Sequence, residues 1–561
     1  MNKRWATPGL FLVLGWLFYV ASKGAYKGFF SSDDLDNLAW TRHVDLKGFF
    51  TGVLTPQFFP SNFRPIGHFY FWALGRIAGL EFRPYIAVLH GLHLINLGLL
   101  WALLGRLTFS WAARAIGVIF FAFHMAVFDA YWKPMYVFDV LCALFSLLSV
   151  LLWIDKRHWW SFLCFWLAYK SKELAVAIPL ILAAYEYFLG TFSLRPLLWH
   201  LSGAACFTVQ AIVSQAGRGG DYGIRLTPIT LWQTVDYYAS QILLVPHAGF
   251  GLALLPAWVR DRRLWWGLLA AGLWIAPMLL VPGRRYGAYL YLPLAGIAIA
   301  VAALAERMGW KWLAAPLAVW LGFNYAEMRD KRRAALAEAE ESTAYVYSLA
   351  DLAKSSKELG TVLIDSAPSA MQRWGVEGAL RYTFDRDDLE IIYLPDSDHK
   401  EPRPDSNLAM LSWEAPIRRL YTLRRSAAAG DAAYLEMTRL TPVWQLGKGW
   451  FQREGGNYRW TAPKSYGHVR RPAGANEFQV TVNIGPDYIK AVHSVTITVR
   501  AGDSVLGSRT FTENGWFTEK FAMAPGPEGN VDIEFSVDPP FRPSNGDPRT
   551  LGIPIAAFGF R

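Results

Sequence analysis

Cysteine is scarce in this 561-residue chain: Cys142, Cys164 and Cys206 are the whole complement, and each lies inside an apolar segment. Residues 329–561 contain none, which excludes a disulfide framework there. No period of about 34 residues runs through the chain, so tetratricopeptide repeats are excluded. No two halves repeat either, as they do in many transporters. The first apolar run, Gly9 to Ala21, follows Asn2-Lys3-Arg4 but precedes no convincing small-x-small cleavage site. It reads as an uncleaved first helix.

What the chain has in abundance is apolar surface. It is 53% hydrophobic and 16% aromatic, with 26 Trp and a mean hydropathy of +0.19. The excess lies before residue 325 or so. A net charge of +10 raises nucleic acid as a partner, but many N-terminal arginines sit in short loops between apolar runs. There they act as topology determinants, and no nucleic acid is expected.

A helix crossing roughly 30 Å of hydrocarbon needs about 20 mostly apolar residues. Segments 8–24, 85–105, 112–129, 136–154, 158–170, 174–190, 197–214, 236–257, 264–281, 288–305 and 311–326 meet that pattern within a few residues. This predicts a multi-pass α-helical membrane protein with about eleven spans. With the first helix running outward, Lys3 and Arg4, Arg106 and Arg114, Lys156 and Arg157, Arg195, Arg260 with Arg262 and Arg263, and Arg307 with Lys311 all face the cytoplasm. The loops 25–84 and 215–235, the Lys172-Glu173 turn and everything after residue 328 then lie outside. In a bacterium this is the plasma membrane, with periplasmic C-terminal parts.

The outer loops hold the unusual chemistry. Phe30-Ser-Ser-Asp33-Asp34-Leu-Asp36-Asn37 begins where the first helix leaves the membrane. Carboxylates so near hydrocarbon are costly unless paired, hydrated or used. A sugar transferase needs a carboxylate to accept the proton of an attacking hydroxyl; a helix cap with hydrated acids explains the pair equally well. Asp36 and Asn37 read as caps of the following helix. Further on, Pro60-Ser-Asn62-Phe-Arg64-Pro65 leads into an interfacial helix over 66–80. Arg64 is either a phosphate clamp or a headgroup contact. His90 and His93, one turn apart, read as helix packing.

His124, Asp129 and Asp139 bracket the outer turn Tyr131-Trp-Lys133-Pro134 and suggest a hydrated cavity. Lys172-Glu173 is either a lipid-phosphate site or an interfacial ion pair. Gly283-Arg284-Arg285-Tyr286 puts two positive charges outside, against the topology trend, as a phosphate site would. Tyr286, Tyr289 and Tyr291 beside them read as an interface belt rather than a sugar platform.

Three domains are expected: a membrane part at 1–328, a helix plus small α/β unit at 329–445, and a β-sandwich of jelly-roll type at 446–561. Strands are predicted at Thr361–Asp365 and Leu389–Leu394 around a helix at Arg373–Tyr382. Others fall at Glu477–Ile484, Val492–Arg500, Trp516–Phe521 and Val531–Val537. Asp365 reads as a turn residue. Trp450, Tyr458 and Trp460 either stack on a glycan or pack in the sandwich.

Taken in order, these segments resemble the GT-C class of glycosyltransferases, and within it the membrane part of the tetratricopeptide-containing O-mannosyltransferases. The acidic pair of the first outer loop is matched by Asp33-Asp34, and a Phe-Arg-Pro segment by Phe63-Arg64-Pro65. A Lys-Glu pair is matched by Lys172-Glu173, and Tyr-Leu-Tyr-Leu-Pro by Tyr289 to Pro293. A His, Glu and Arg-x-Asp series is matched only by His124, Asp129 and Asp139, with Val137 in place of the arginine. Ala288 stands where relatives carry another arginine, and Arg285 lies one turn earlier. The resemblance covers roughly residues 5–325.

It implies inverting transfer of a mannose-like or other hexose from a polyprenyl-phosphate donor to an acceptor hydroxyl. Asp33 would be the base and Asp34 would orient it. Arg64, Lys172, Arg284 and Arg285 would hold the donor phosphate, with Glu173, His124, Asp129, Asp139, Tyr286 and Tyr289 lining the cavity. No metal or other cofactor is chemically obligatory, since phosphate already leaves well. The competing readings are a lipid-linked sugar flippase and a silent membrane anchor presenting the sandwich to a glycan.

Overall fold

The computed structural model describes residues 3–55, 63–191, 195–215, 223, 227–394, 407–425, 430–453, 456–543 and 547–561. Pro60, Ser61 and Asn62 fall outside them. The chain divides into two compact units, 1–340 and 341–561. The division falls inside one helix, Trp310–Ser355, rather than at residue 328.

The first unit is helical throughout. Among the described residues three stretches are long and apolar enough to cross a membrane: Trp5–Lys27, Arg83–Arg106 and Pro134–Ile154. A fourth is available if Pro228–Leu243 and Ala248–Trp258, bent by 89°, count as one broken span. The expected eleven are therefore not supported. Apolarity overcounts because several segments fold as shorter pieces. Residues 112–129 break after Trp111–Ala122, and 174–190 becomes a 3-10 turn, Glu173–Ala177, followed by Ile178–Phe188. Membrane residence still follows from those apolar helices and from what they expose. Leu12 is 75% and Trp16 64% accessible on the first helix, a cost in water that hydrocarbon removes.

Small residues let the interior helices close on one another. A Cβ added to Gly267 would lie 2.7 Å from the Gly296 carbonyl, and one added to Gly296 would lie 2.6 Å from that of Gly267. The helices Arg262–Leu279 and Pro293–Met308 therefore meet backbone to backbone. Polar groups between helices are tied down. His90 Nε2 reaches the Tyr131 carbonyl at 2.9 Å, and His93 Nδ1 the Tyr291 hydroxyl at 2.7 Å. Both histidines pack helices. Tyr291 is fully buried, so it cannot belong to an interface belt.

Among its described residues the second unit combines three sheets. In the first, Glu390–Tyr393, Thr361–Ile364 and Leu408–Glu414 run parallel and Arg419–Arg425 closes the edge antiparallel, with the helix Arg373–Phe384 joining the first pair. The other two form the sandwich. One contains Ser504–Phe511, Val495–Ala501, Gly529–Asp538 and Lys464–Arg471; the other Gly515–Ala522, Glu477–Ile484, Pro554–Phe560 and Tyr434–Glu436. Alternation positions the core: Phe478, Val480, Val482 and Ile484 of one sheet meet Val495, Ile497, Val499, Ile533 and Phe535 of the other. The strand Tyr434–Glu436 belongs to the sandwich, and the apolar cluster continues to Leu363 and Met410. A boundary at residue 445 would cut through this shared core.

Of the two readings of the sandwich aromatics, packing is the one seen for Trp450 and Trp460. Trp450 is buried, stacks on Phe558 at 5.5 Å and donates to the Tyr466 carbonyl. Trp460 stacks on Phe541 at 5.9 Å. Asp365, read as a turn residue, is instead a buried ion partner of Arg459 at 2.7 Å, with Ser412 donating to its other oxygen at 3.1 Å.

Candidate active site

The acidic pair occupies the first turn of the helix Ser32–Thr41, and its members have different surroundings. Ser31 precedes the helix, and its amide and hydroxyl both donate to Asp34 Oδ2, at 2.7 and 2.6 Å. This ties the first turn closed through a buried carboxyl. Burial pushes the Asp34 carboxyl up to about 7; the Ser31 bonds oppose that rise and the Asp33 charge adds to it. Asp33, one residue earlier, is only partly buried. The capping role expected of Asp36 and Asn37 falls to Ser31 and Asp34, because the helix begins earlier than its apolar pattern suggests. Asp36 is exposed, and Asn37 Oδ1 pairs with His68 Nε2 at 3.0 Å.

Arg64 stands directly before the helix Pro65–Ala78. Its amide donates to His68 Nδ1 at 2.9 Å, so His68 uses Nε2–H toward Asn37. Burial and the nearby Arg64 charge hold His68 down at about 3, hence neutral. The Arg64 guanidinium meets Glu173 Oε1 through Nε and Nη2, each at 2.9 Å. Burial works against the Glu173 charge, but Arg64, the turn's own amide and Lys172 together outweigh it and keep that carboxyl below its ordinary range.

The chain breaks at Lys172, whose extended backbone separates the helix His158–Ser171 from the turn Glu173–Ala177. That break turns neighbouring residues to different partners. Lys172 Nζ lies 2.6 Å from both oxygens of Asp139, a buried residue in the first turn of Val137–Ile154. The same ammonium stands 4.4 Å from the centre of the Tyr289 ring. Arg284 Nε donates to the Tyr289 hydroxyl at 3.3 Å, and its guanidinium lies 5.5 Å from the Tyr286 ring. Tyr289 therefore sits with its neighbours of charge and does not form a belt.

Six sequence-expected residues are joined by direct contact in two groups: Arg64–Glu173, and Asp139–Lys172–Tyr289 continuing to Arg284. Tyr136 feels the charges of Asp129, Asp139, Tyr289 and Asp33. Asp129 pairs with Lys133 at 3.5 Å. Arg285 is exposed and acts on Tyr237 and Tyr238. His124 is not brought to this group. It is fully buried, its Nε2 reaches the Ile242 carbonyl at 2.8 Å, and its Nδ1 accepts from Ala126. Tyr136 and His68 escaped the sequence reading. The signal for Tyr136 was its place in the short turn between two acids; for His68 it was the four-residue spacing from Arg64.

No protein-family model matches the chain, and no curated protein matches it. Among solved structures, it is similar to the cryo-EM structure of the arabinofuranosyltransferase AftD from Mycobacteria. Identity is 13% and the TM-score 0.43, over 99% of this chain and 58% of that one. A mutant of the same enzyme gives 13% identity and a TM-score of 0.40, over 100% and 61%. The chain thus spans less than two thirds of that protein's length.

Proposed function

We propose that this chain is a membrane glycosyltransferase of GT-C type, moving a hexose from a polyprenyl-phosphate donor to an acceptor hydroxyl outside the cytoplasm. The observation that carries the reading is the set of cations Arg64, Lys172 and Arg284, each held by a carboxylate or tyrosine partner, beside which the resemblance assigns the partly buried Asp33 the part of the base. A flippase requires no carboxylate placed to take a proton.

In the proposed step the acceptor oxygen attacks the anomeric carbon from the face opposite the phosphate. Its proton passes to an Asp33 carboxylate oxygen as the new C–O bond forms. The anomeric C–O bond to phosphate breaks, and its electron pair leaves on the phosphate oxygen, where Lys172, Arg64, Arg284 and Arg285 meet the charge. One displacement inverts the anomeric centre. Asp34, bound to Ser31, fixes the turn that carries Asp33.

The test is sugar transfer from a radiolabelled polyprenyl-phosphate hexose by the full chain in lipid nanodiscs, compared with Asp33→Asn and Asp34→Asn, singly and together. Activity that survives all three variants excludes the mechanism.

A further inference from the structure

Tyr289 lies where the cations converge, yet ring and hydroxyl do different work. Its face receives the Lys172 ammonium at 4.4 Å, an attraction to the negative π-face that gains strength where water is excluded. Its hydroxyl accepts from Arg284 Nε at 3.3 Å. Arg64 is also within electrostatic reach of it. The side chain is more than nine-tenths buried, and its surroundings fix it. The Tyr286 ring stands against it at 5.9 Å and 69°, while the Tyr238 hydroxyl lies 3.5 Å from the Arg284 carbonyl. Lys172 is itself immobilised by both oxygens of Asp139.

A phenol oxygen that accepts one hydrogen bond still holds its own proton. Among the described residues no acceptor takes that proton. A buried donor without an acceptor is costly; around it the cations Lys172, Arg284 and Arg64 outnumber the carboxylates Asp139 and Glu173, so an anion suits the position.

We propose that Tyr289 is a positioning and binding residue for the donor: its ring and hydroxyl set the spacing of Lys172 and Arg284, and its O–H donates to a phosphate oxygen between them. This rests on the polyprenyl-phosphate reading above and adds a residue to it. The two roles separate by substitution. Tyr289→Phe keeps the ring under Lys172 and removes the hydroxyl; Tyr289→Leu removes both.

The probe is farnesyl monophosphate, titrated into full-length protein in phosphatidylcholine nanodiscs and followed by tryptophan fluorescence. Inorganic phosphate and phosphatidylglycerol-containing discs serve as comparison arms. Tyr289→Phe is expected to weaken farnesyl phosphate binding about tenfold, the loss of one charge-assisted hydrogen bond. Tyr289→Leu is expected to weaken it further. In the transfer assay Tyr289→Phe raises the donor KM by a similar factor and leaves kcat within about threefold. Its melting temperature stays at the wild-type value, which a merely structural tyrosine would not predict.

If Tyr289→Phe binds within twofold of wild type while Lys172→Gln binds weakly, the role of Tyr289 is overturned and the donor reading stands. If the wild type does not bind farnesyl phosphate, or binds inorganic phosphate or phosphatidylglycerol equally well, the donor reading falls and this inference with it.

Discussion

Among the described residues, each unit holds a buried, closely bonded acid–base pair, and the two differ in what surrounds them. Asp365–Arg459 closes on itself: both partners are at most 3% exposed, and Ser412 and the Phe451 carbonyl take up further bonding positions. Lys172–Asp139 is just as short, yet it opens onto Tyr289 and, through the adjacent Glu173, onto Arg64. A closed pair fastens a strand end to the sandwich. An open pair within a set of charges supplies a field. On the proposed function, the neighbours rather than burial separate the two pairs.

That contrast can be broken most decisively at Asp33. Asp33→Asn should lower transfer by about a thousandfold, in the range for removing a general base, with an unchanged melting temperature. Next in size, Arg459→Gln should cost roughly 3–5 kcal/mol of stability, because it strands the buried Asp365 charge; scanning calorimetry of the full chain reads it. If Arg459→Gln instead lowers activity at unchanged stability, the closed pair has been misassigned. Lys172→Gln strands the buried Asp139 in the same way and should also cost stability. Unlike Arg459→Gln, it should in addition weaken donor use by about ten- to a hundredfold, with radiolabel transfer at varied donor concentration as the measure.

A smaller effect concerns pH. The Asp34 carboxyl is raised in the folded state to about 7 from 3.8, so folding favours its protonated form. The stability it contributes is fully present below about pH 4 and is lost as pH rises toward 7. Thermal melts should show that decline in the wild type, and Asp34→Asn should flatten it. Least of all, Arg285→Gln at an exposed position should change the donor KM by only a few-fold, because solvent screens its charge.

How much of this was legible beforehand depended on range. Strands with strict alternation, such as Glu477–Ile484, coincide with the structure because a two-residue period is local. The helix starting at Ser32 did not, since its cap is a serine–aspartate exchange that apolar periodicity does not register. Counting spans failed for a related reason: apolar composition is blind to breaks such as that after Ala122, where the helix Trp111–Ala122 gives way to a 3-10 turn, whereas the turn at Lys172-Glu173 was expected from loop charge. Arg64, Lys172 and Glu173 were recognisable as out of place, but their pairing joins residues 109 positions apart. Such contacts arise only from tertiary packing. His124 showed the converse. It carried a chemically suggestive side chain and turned out to hold the Ile242 carbonyl.

The break at Lys172 also stores a piece of reading-frame information. Two consecutive residues of opposite sign face Asp139 and Arg64, partners of opposite sign on separate segments. Exchanging their order, as in Lys172→Glu with Glu173→Lys, leaves composition and net charge untouched. It nevertheless sets carboxylate against carboxylate on one side and cation against cation on the other. A slip of one residue in this stretch would create one of these two clashes and leave the other partner unpaired. The dipeptide therefore acts as a polarised key: it admits one alignment of three chain segments and rejects the neighbouring one by repulsion.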